Sequence, residues 1–228
     1  MLKGEEFTVD VETDKQALTF LVKYAADETS KIYGPIFNRM AAEHAVRFEA
    51  EKLGEKPPEN ITTLDEATDY IMRNLNKYPR GYNSLMYAIG KVEAKLQGAT
   101  GAAAKRTAFS AMKSIIKNSG ILNDLEGKIS DPFEAIYKVQ ELEKHTKTTV
   151  PAKYKKQGNQ VIAEYPDCPF KEVCRKFNEE GVLRTVGGME CINLITLNAQ
   201  AEIITQKRLD YKLEEFDKPH CKGKIYEL

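Results

Sequence analysis

The chain has 228 residues, 42% of them hydrophobic and 30% charged, with Lys+Arg equal to Asp+Glu at 34 each. That length suits one sizeable domain, or a domain with an appendage, able to bury a core without disulfide help. A formal charge of zero gives no push toward nucleic acid or anionic membrane, and no apolar run approaches the roughly 20 residues that span a bilayer.

Met1–Lys15 lacks the apolar stretch of a signal peptide, so the expectation is a cytoplasmic protein whose thiols stay reduced. Thr13-Asp14 is a candidate cap for a first helix with Leu18, Leu21, Val22, Ala25 and Ile32 on one face. Gly34-Pro35 interrupts it. A second helical stripe follows at Phe37, Met40, Ala41, His44, Ala45 and Phe48, and LGEKPPEN ends that element. Thr63 with Glu66 forms a capping box for a short helix through Leu75. Residues 77–96 read equally as a strand around Ser84–Ile89 or as further helix. Phe109, Met112, Ile115 and Ile116 share one face of a helix that Gly120 stops. Asp131-Pro132-Phe133-Glu134 opens another, with a cap, a first-turn proline and an acidic third position.

From Val150 the period changes. AKYKK-QGNQ-VIAEY predicts a hairpin, then a helix from Pro169 to about Glu180. Met189, Ile192, Ile195, Ala199 and Ile203 recur at helical spacing. Leu209, Tyr211 and Leu213 alternate with Asp210, Lys212 and Glu214, and CKGKIYEL closes the chain as a strand. The expected class is α+β. Helices pack on an antiparallel sheet made by the C-terminal hairpins, residues 1–150 are mostly helical, and 151–228 are rich in sheet.

Every cysteine falls after residue 167: Cys168, Cys174, Cys191 and Cys221, with His220 beside the last. In a reducing compartment such a group more often binds metal or does redox work than forms disulfides. Four thiolates match the ligand count of a structural zinc or of an iron–sulfur cluster such as [4Fe-4S], with His220 as a substitute ligand. The spacing is neither a zinc-ribbon nor a ferredoxin pattern, so the signal is count and confinement. The plain alternative is cysteine as a small buried apolar residue, which suits Cys191 beside Ile192.

Residues 152–228 resemble the 4-vinyl reductase family of small-molecule-binding domains. The hairpin YKKQGNQVIAEY, the following helix pair and the closing LDYKLEEFDKPHCKGKI carry the resemblance. It implies a helix-plus-antiparallel-sheet fold, a pocket for an aromatic or hydrocarbon ligand, and a terminal cysteine, Cys221, that helps hold zinc. The phenol-sensing members carry a glutamate and a cysteine where this chain has Asp210 and Leu213. The segment CPFKEVC, with MECINLITLNAQ and the closing hairpin, is also similar to the aminothiazoline-carboxylate hydrolases. Asn193 stands where that family tends to carry an acid.

Other motifs weigh less. His44 on an apolar stripe reads as a core residue, and His145 as a solvated one. Gly98 and Gly101 fail the phosphate-loop spacing and read as a turn before a helix. Gly187-Gly188 before a helix reads as a simple helix start, with an anion site the lesser option. The aromatic residues Phe20, Tyr24, Phe37, Phe48, Tyr70, Phe109, Phe133 and Tyr137 read as core. The leading expectation is a ligand-binding or sensory domain for a small apolar molecule, braced by the cysteine site, with a homodimer left open. The alternative is a small cysteine-dependent hydrolase acting on a cyclic amide-like substrate, with His220 as the only base adjacent to a thiol.

Overall fold

The computed structural model describes residues 4–97, 102–182, 184–185, 188–189, 191–216 and 220–228. Among these residues the order is β1 (Glu6–Val9), α1 (Lys15–Tyr33), α2 (Pro35–Leu53), α3 (Leu64–Asn74), α4 (Tyr82–Gln97), α5 (Ala102–Ser119) and α6 (Pro132–Thr146). Then come β2 (Ala152–Gln157), β3 (Gln160–Tyr165), α7 (Lys171–Glu180), β4 (Arg184–Thr185), β5 (Gly188–Met189), α8 (Ile192–Thr205), β6 (Leu209–Glu215) and β7 (Cys221–Glu227). The class is α+β, with a helical N-terminal half and a five-stranded antiparallel sheet. Among the described residues no helix is long and apolar enough to cross a membrane.

The chain forms two compact units that interleave along the sequence. A sheet unit takes Met1–Thr13, Lys105–Lys171 and Thr185–Leu228, and a helical unit takes Asp14–Ala104 and Glu172–Arg184.

In the sheet unit the strand order is β1-β2-β3-β7-β6. The β2–β3 hairpin turns on Gly158-Asn159, with Gly158 at φ 57° where glycine costs least. Register places Tyr154, Ala163, Gly223 and Leu213 in one row and Tyr165 opposite Cys221 in the next. Gly223 has a packing reason: a Cβ there would stand 2.3 Å from Leu194 Cδ1 and 2.8 Å from Lys212 O. Its absence lets α8 lie directly on β7. On the other side of the unit Phe7 of β1 meets Phe133 and Tyr137 of α6 and stacks on Tyr154 at 4.8 Å. A second apolar layer joins α5, α6 and α8 through Ile116, Leu122, Ala135, Val139, Ala199, Ile203 and Ile204.

β1 was not legible as a strand. It is four residues long and pairs with β2, far along the chain. The ambiguous stretch at Ser84–Ile89 is helix within α4, where Leu85, Met86, Ala88, Ile89 and Val92 are buried. Met189 lies in β5 rather than in a helix, and α8 begins only at Ile192.

In the helical unit Asp14 caps α1, accepting from Gln16 N and Ala17 N at 2.9 Å. The Thr63–Glu66 capping box opens α3. α1 turns Leu18, Val22, Ala26 and Thr29 inward. That stripe leaves Leu21 and Ile32, expected on the same face, 47% and 54% exposed, and Phe20, expected in the core, 55% exposed. The helix carries more apolar positions than one face buries. α4 packs on α1 and α2, and Gly90 admits the ring of Phe177 from α7, which a Cβ would approach to 2.4 Å.

Candidate thiol and buried polar site

The sheet brings three of the four cysteines into one unit. Cys168 follows β3, with its carbonyl accepting from Lys171 N at 3.2 Å. Cys221 opens β7, opposite Tyr165. Cys191 is the N-cap residue of α8, and its carbonyl accepts from Ile195 N at 2.9 Å. All four cysteines are buried and none is in a disulfide. Cys174 lies in α7, in the stretch that belongs to the helical unit.

Burial pushes the Cys168 thiol up to about 12, with Cys221 adding to the rise. The Phe170 backbone N–H and the Asn193 amide oppose it, Asn193 Nδ2 donating to Cys168 Sγ at 3.3 Å. Cys191 is raised by burial, then by Cys168 and Cys221. Cys168 and Cys191 therefore sense each other and Cys221 in a buried setting that favours their protonated forms. Asn193, where the hydrolase resemblance expects an acid, serves as a thiol partner. His220 Nε2 stands 3.9 Å from Glu164 Oε2.

Three thiols are donors that a soft or borderline metal ion accepts, but as thiolates. Among the described residues no three His, Cys, Asp or Glu side chains are grouped as a metal ion needs. The residues as they stand do not form a coordination shell.

Next to the thiols runs a series of buried polar groups that sequence reasoning missed. Tyr165 and Tyr154 are fully buried on adjacent strands, ring centroids 6.5 Å apart and edge to face. Burial raises the Tyr165 phenol well above its ordinary value, reinforced by Tyr154 and Cys191. The Tyr154 phenol is raised by burial and then by Glu143 of α6. Glu143 is itself raised by desolvation. Its two oxygens accept from Gln200 Nε2 at 2.7 Å and Gln140 Nε2 at 3.0 Å, the two amides moderating the rise. Gln140 Oε1 in turn accepts from Thr149 at 2.5 Å, and the Thr149 carbonyl from Thr13 at 2.9 Å.

This network is incomplete. The Tyr165 hydroxyl and Gln200 Oε1 are buried with no hydrogen-bond partner. Buried polar atoms are nearly always paired, and Asn198 Oδ1 of α8 is a third such atom in the same unit. The one sequence signal was Gln200 itself, a polar residue inside the apolar run of α8, which is buried on almost every face. Glu143 gave none, because QELEK reads as a solvated surface.

The remaining candidates stand apart from this site. His44 is half-buried on α2, its pKa lowered by desolvation, with its ring 6.4 Å from that of Tyr87. His145 is exposed in the last turn of α6. Gly98, Gly101 and Gly187 lie outside the described residues, while Gly188 is in β5. Asp210 accepts from the Tyr226 hydroxyl at 3.2 Å on β6. No model of a known protein family matches the chain.

Proposed function

We propose that the sheet unit is a small-molecule-binding, sensory domain. Its ligand would have an apolar body and a hydrogen-bonding end, seated between the sheet and helices α6 and α8. The observation that carries this reading is the pair of unmet polar atoms, Tyr165 hydroxyl and Gln200 Oε1, within the buried polar network of the sheet unit. Pockets of this kind are mostly apolar with a few convergent polar groups. The resemblance of residues 152–228 to the 4-vinyl reductase family supports the same reading.

Cys168, Cys191 and Cys221, with His220 beside the last, are the donors we assign to a metal, zinc or an iron–sulfur cluster. The support is the mutual effect of the three thiols. Ligation consumes thiolate, so metal uptake strengthens as pH rises and releases protons. The hydrolase reading has less support. A nucleophile needs an accessible thiolate beside a base, and all four cysteines are buried, with burial raising the thiols of Cys168 and Cys191.

The test is metal and acid-labile sulfide analysis with an absorption spectrum on full-length protein purified without oxygen. About one colourless zinc per chain would support a zinc site, and iron with sulfide a cluster. Loss of that metal in Cys168→Ser, Cys191→Ser and Cys221→Ser, with retention in Cys174→Ser, would assign it to the sheet unit. Protein that takes up no zinc at any pH from 6 to 9 would remove the metal part of the reading.

A further inference from the structure

The helical unit carries two acids in its interior. Glu49, on α2, is 0% exposed. Ser84 Oγ donates to its Oε2 at 2.6 Å, while Oε1 has no partner. Glu93, on α4, is 9% exposed. Desolvation pushes both carboxyls up to about 7, and at Glu49 the Ser84 hydroxyl offsets only part of that rise.

The helices around them supply neutral groups and cations already engaged elsewhere. α3 brings Tyr70, whose buried hydroxyl has no partner. The segment before α4 brings Tyr78, which donates to Glu172 of α7 at 2.7 Å. Glu172 also holds Lys52 at 2.7 Å, Lys176 holds Glu51 at 2.6 Å, and Lys91 holds Glu180 at 2.8 Å. On α1, Lys31 pairs with Glu28, and Lys23 lies between Asp27 at 2.6 Å and Asp65 at 2.8 Å. On α2, Arg47 pairs with Glu43 at 2.7 Å, and burial holds His44 toward its neutral form. No charged neighbour contributes to the state of Glu49 or Glu93. An ionised carboxylate in such a place lacks both solvent and a counter-ion.

We propose that the helical unit is a pH-responsive element: α2 and α4 pack closed over buried Glu49, with Glu93 buried further along α4, and the helices loosen as the two acids ionise. The closed form binds protons that a solvated, open form releases. Its advantage is complete below about pH 4.5, declines as pH rises, and is lost above about pH 7. Across that interval, 7 − 4.5 = 2.5, the closed–open balance shifts by up to about 300-fold for each acid. The element stands in the unit that holds neither the thiol group nor Tyr165, so it is independent of the ligand reading.

The test is amide hydrogen exchange on the full-length chain from pH 5 to pH 8, corrected for intrinsic exchange, with Glu49→Gln, Glu93→Gln and the double variant. Protection across α2–α4 should fall between pH 5 and pH 8 in the wild type, by about 70-fold for each acid, and stay flat in the double variant. Equal pH dependence in both proteins, or a flat wild type, overturns the proposal. Should the double variant fail to fold, a carboxyl-carbon NMR titration of the wild type decides. A Glu49 midpoint near 7 supports the element, and one near 4.5 overturns it.

Discussion

Replacing Tyr165 with Phe tests the buried network most directly. The hydroxyl is enclosed and, beyond its interaction with the Tyr154 phenol, has no partner in hydrogen-bond geometry, and an orphaned buried polar group costs about 1–3 kcal/mol. Phe keeps the ring and its packing against Tyr154. The variant should therefore be more stable than the wild type by about 1–2 kcal/mol, which is about 2–8 °C in Tm for a chain of this size. Chemical denaturation followed by circular dichroism measures it. Ligand binding should move the other way. With phenol as the probe, losing one anchoring hydrogen bond of about 1 kcal/mol weakens affinity about fivefold by calorimetry. A variant less stable by 1 kcal/mol or more would mean that the hydroxyl already has a strong partner, and the argument for a missing ligand would fail. A variant that is more stable yet binds phenol unchanged would remove Tyr165 from the ligand site.

Gly223→Ala should lose about 1–3 kcal/mol in urea unfolding, because its Cβ meets Leu194 Cδ1 at 2.3 Å and the backbone oxygen of Lys212 at 2.8 Å. A neutral result would mean that α8 lifts from β7 at little cost. Asp131 caps α6 through Phe133 N and Glu134 N and also pairs with Lys156. Burial raises its carboxyl, yet Lys156 and the two backbone N–H groups outweigh it and hold the acid below the ordinary 3.8. That stability is present above about pH 3.8 and is lost as pH falls through the lower folded value. Asp131→Ala should cost about 1 kcal/mol at pH 7 and show a smaller further loss on acidification, read from thermal unfolding at pH 2–7.

The elements that could be read from sequence carry their own local chemistry. Asp14, the Thr63–Glu66 box and Asp131-Pro132 name helix starts because a cap needs only neighbouring N–H groups. The β2–β3 hairpin was legible because Gly158 and the flanking alternation are local too. What escaped depends on distant partners. β1 exists only through β2. α8 was read as a helix, but its start was set too early, because Met189 belongs to β5. Glu49, Glu93 and Glu143 sit at positions where an acid on a helix normally faces water, so only burial distinguishes them.

The same distinction governs the thiols. The sequence offers all four cysteines as one group, Cys168 and Cys174 together within CPFKEVC. Between them, at Lys171 and Glu172, the chain passes from the sheet unit to the helical unit. α7 then docks within the helical unit, its Phe177 ring stacked on Tyr87 at 5.6 Å. Cys168 belongs to the same unit as Cys191 and Cys221, which stand at the N-terminus of α8 and the start of β7. Tyr165 opposite Cys221 places the last thiol beside the end of β3, and any reagent, metal or ligand that engages Cys168 acts on that register. A probe bound at Cys168 should thus perturb β3 and β7.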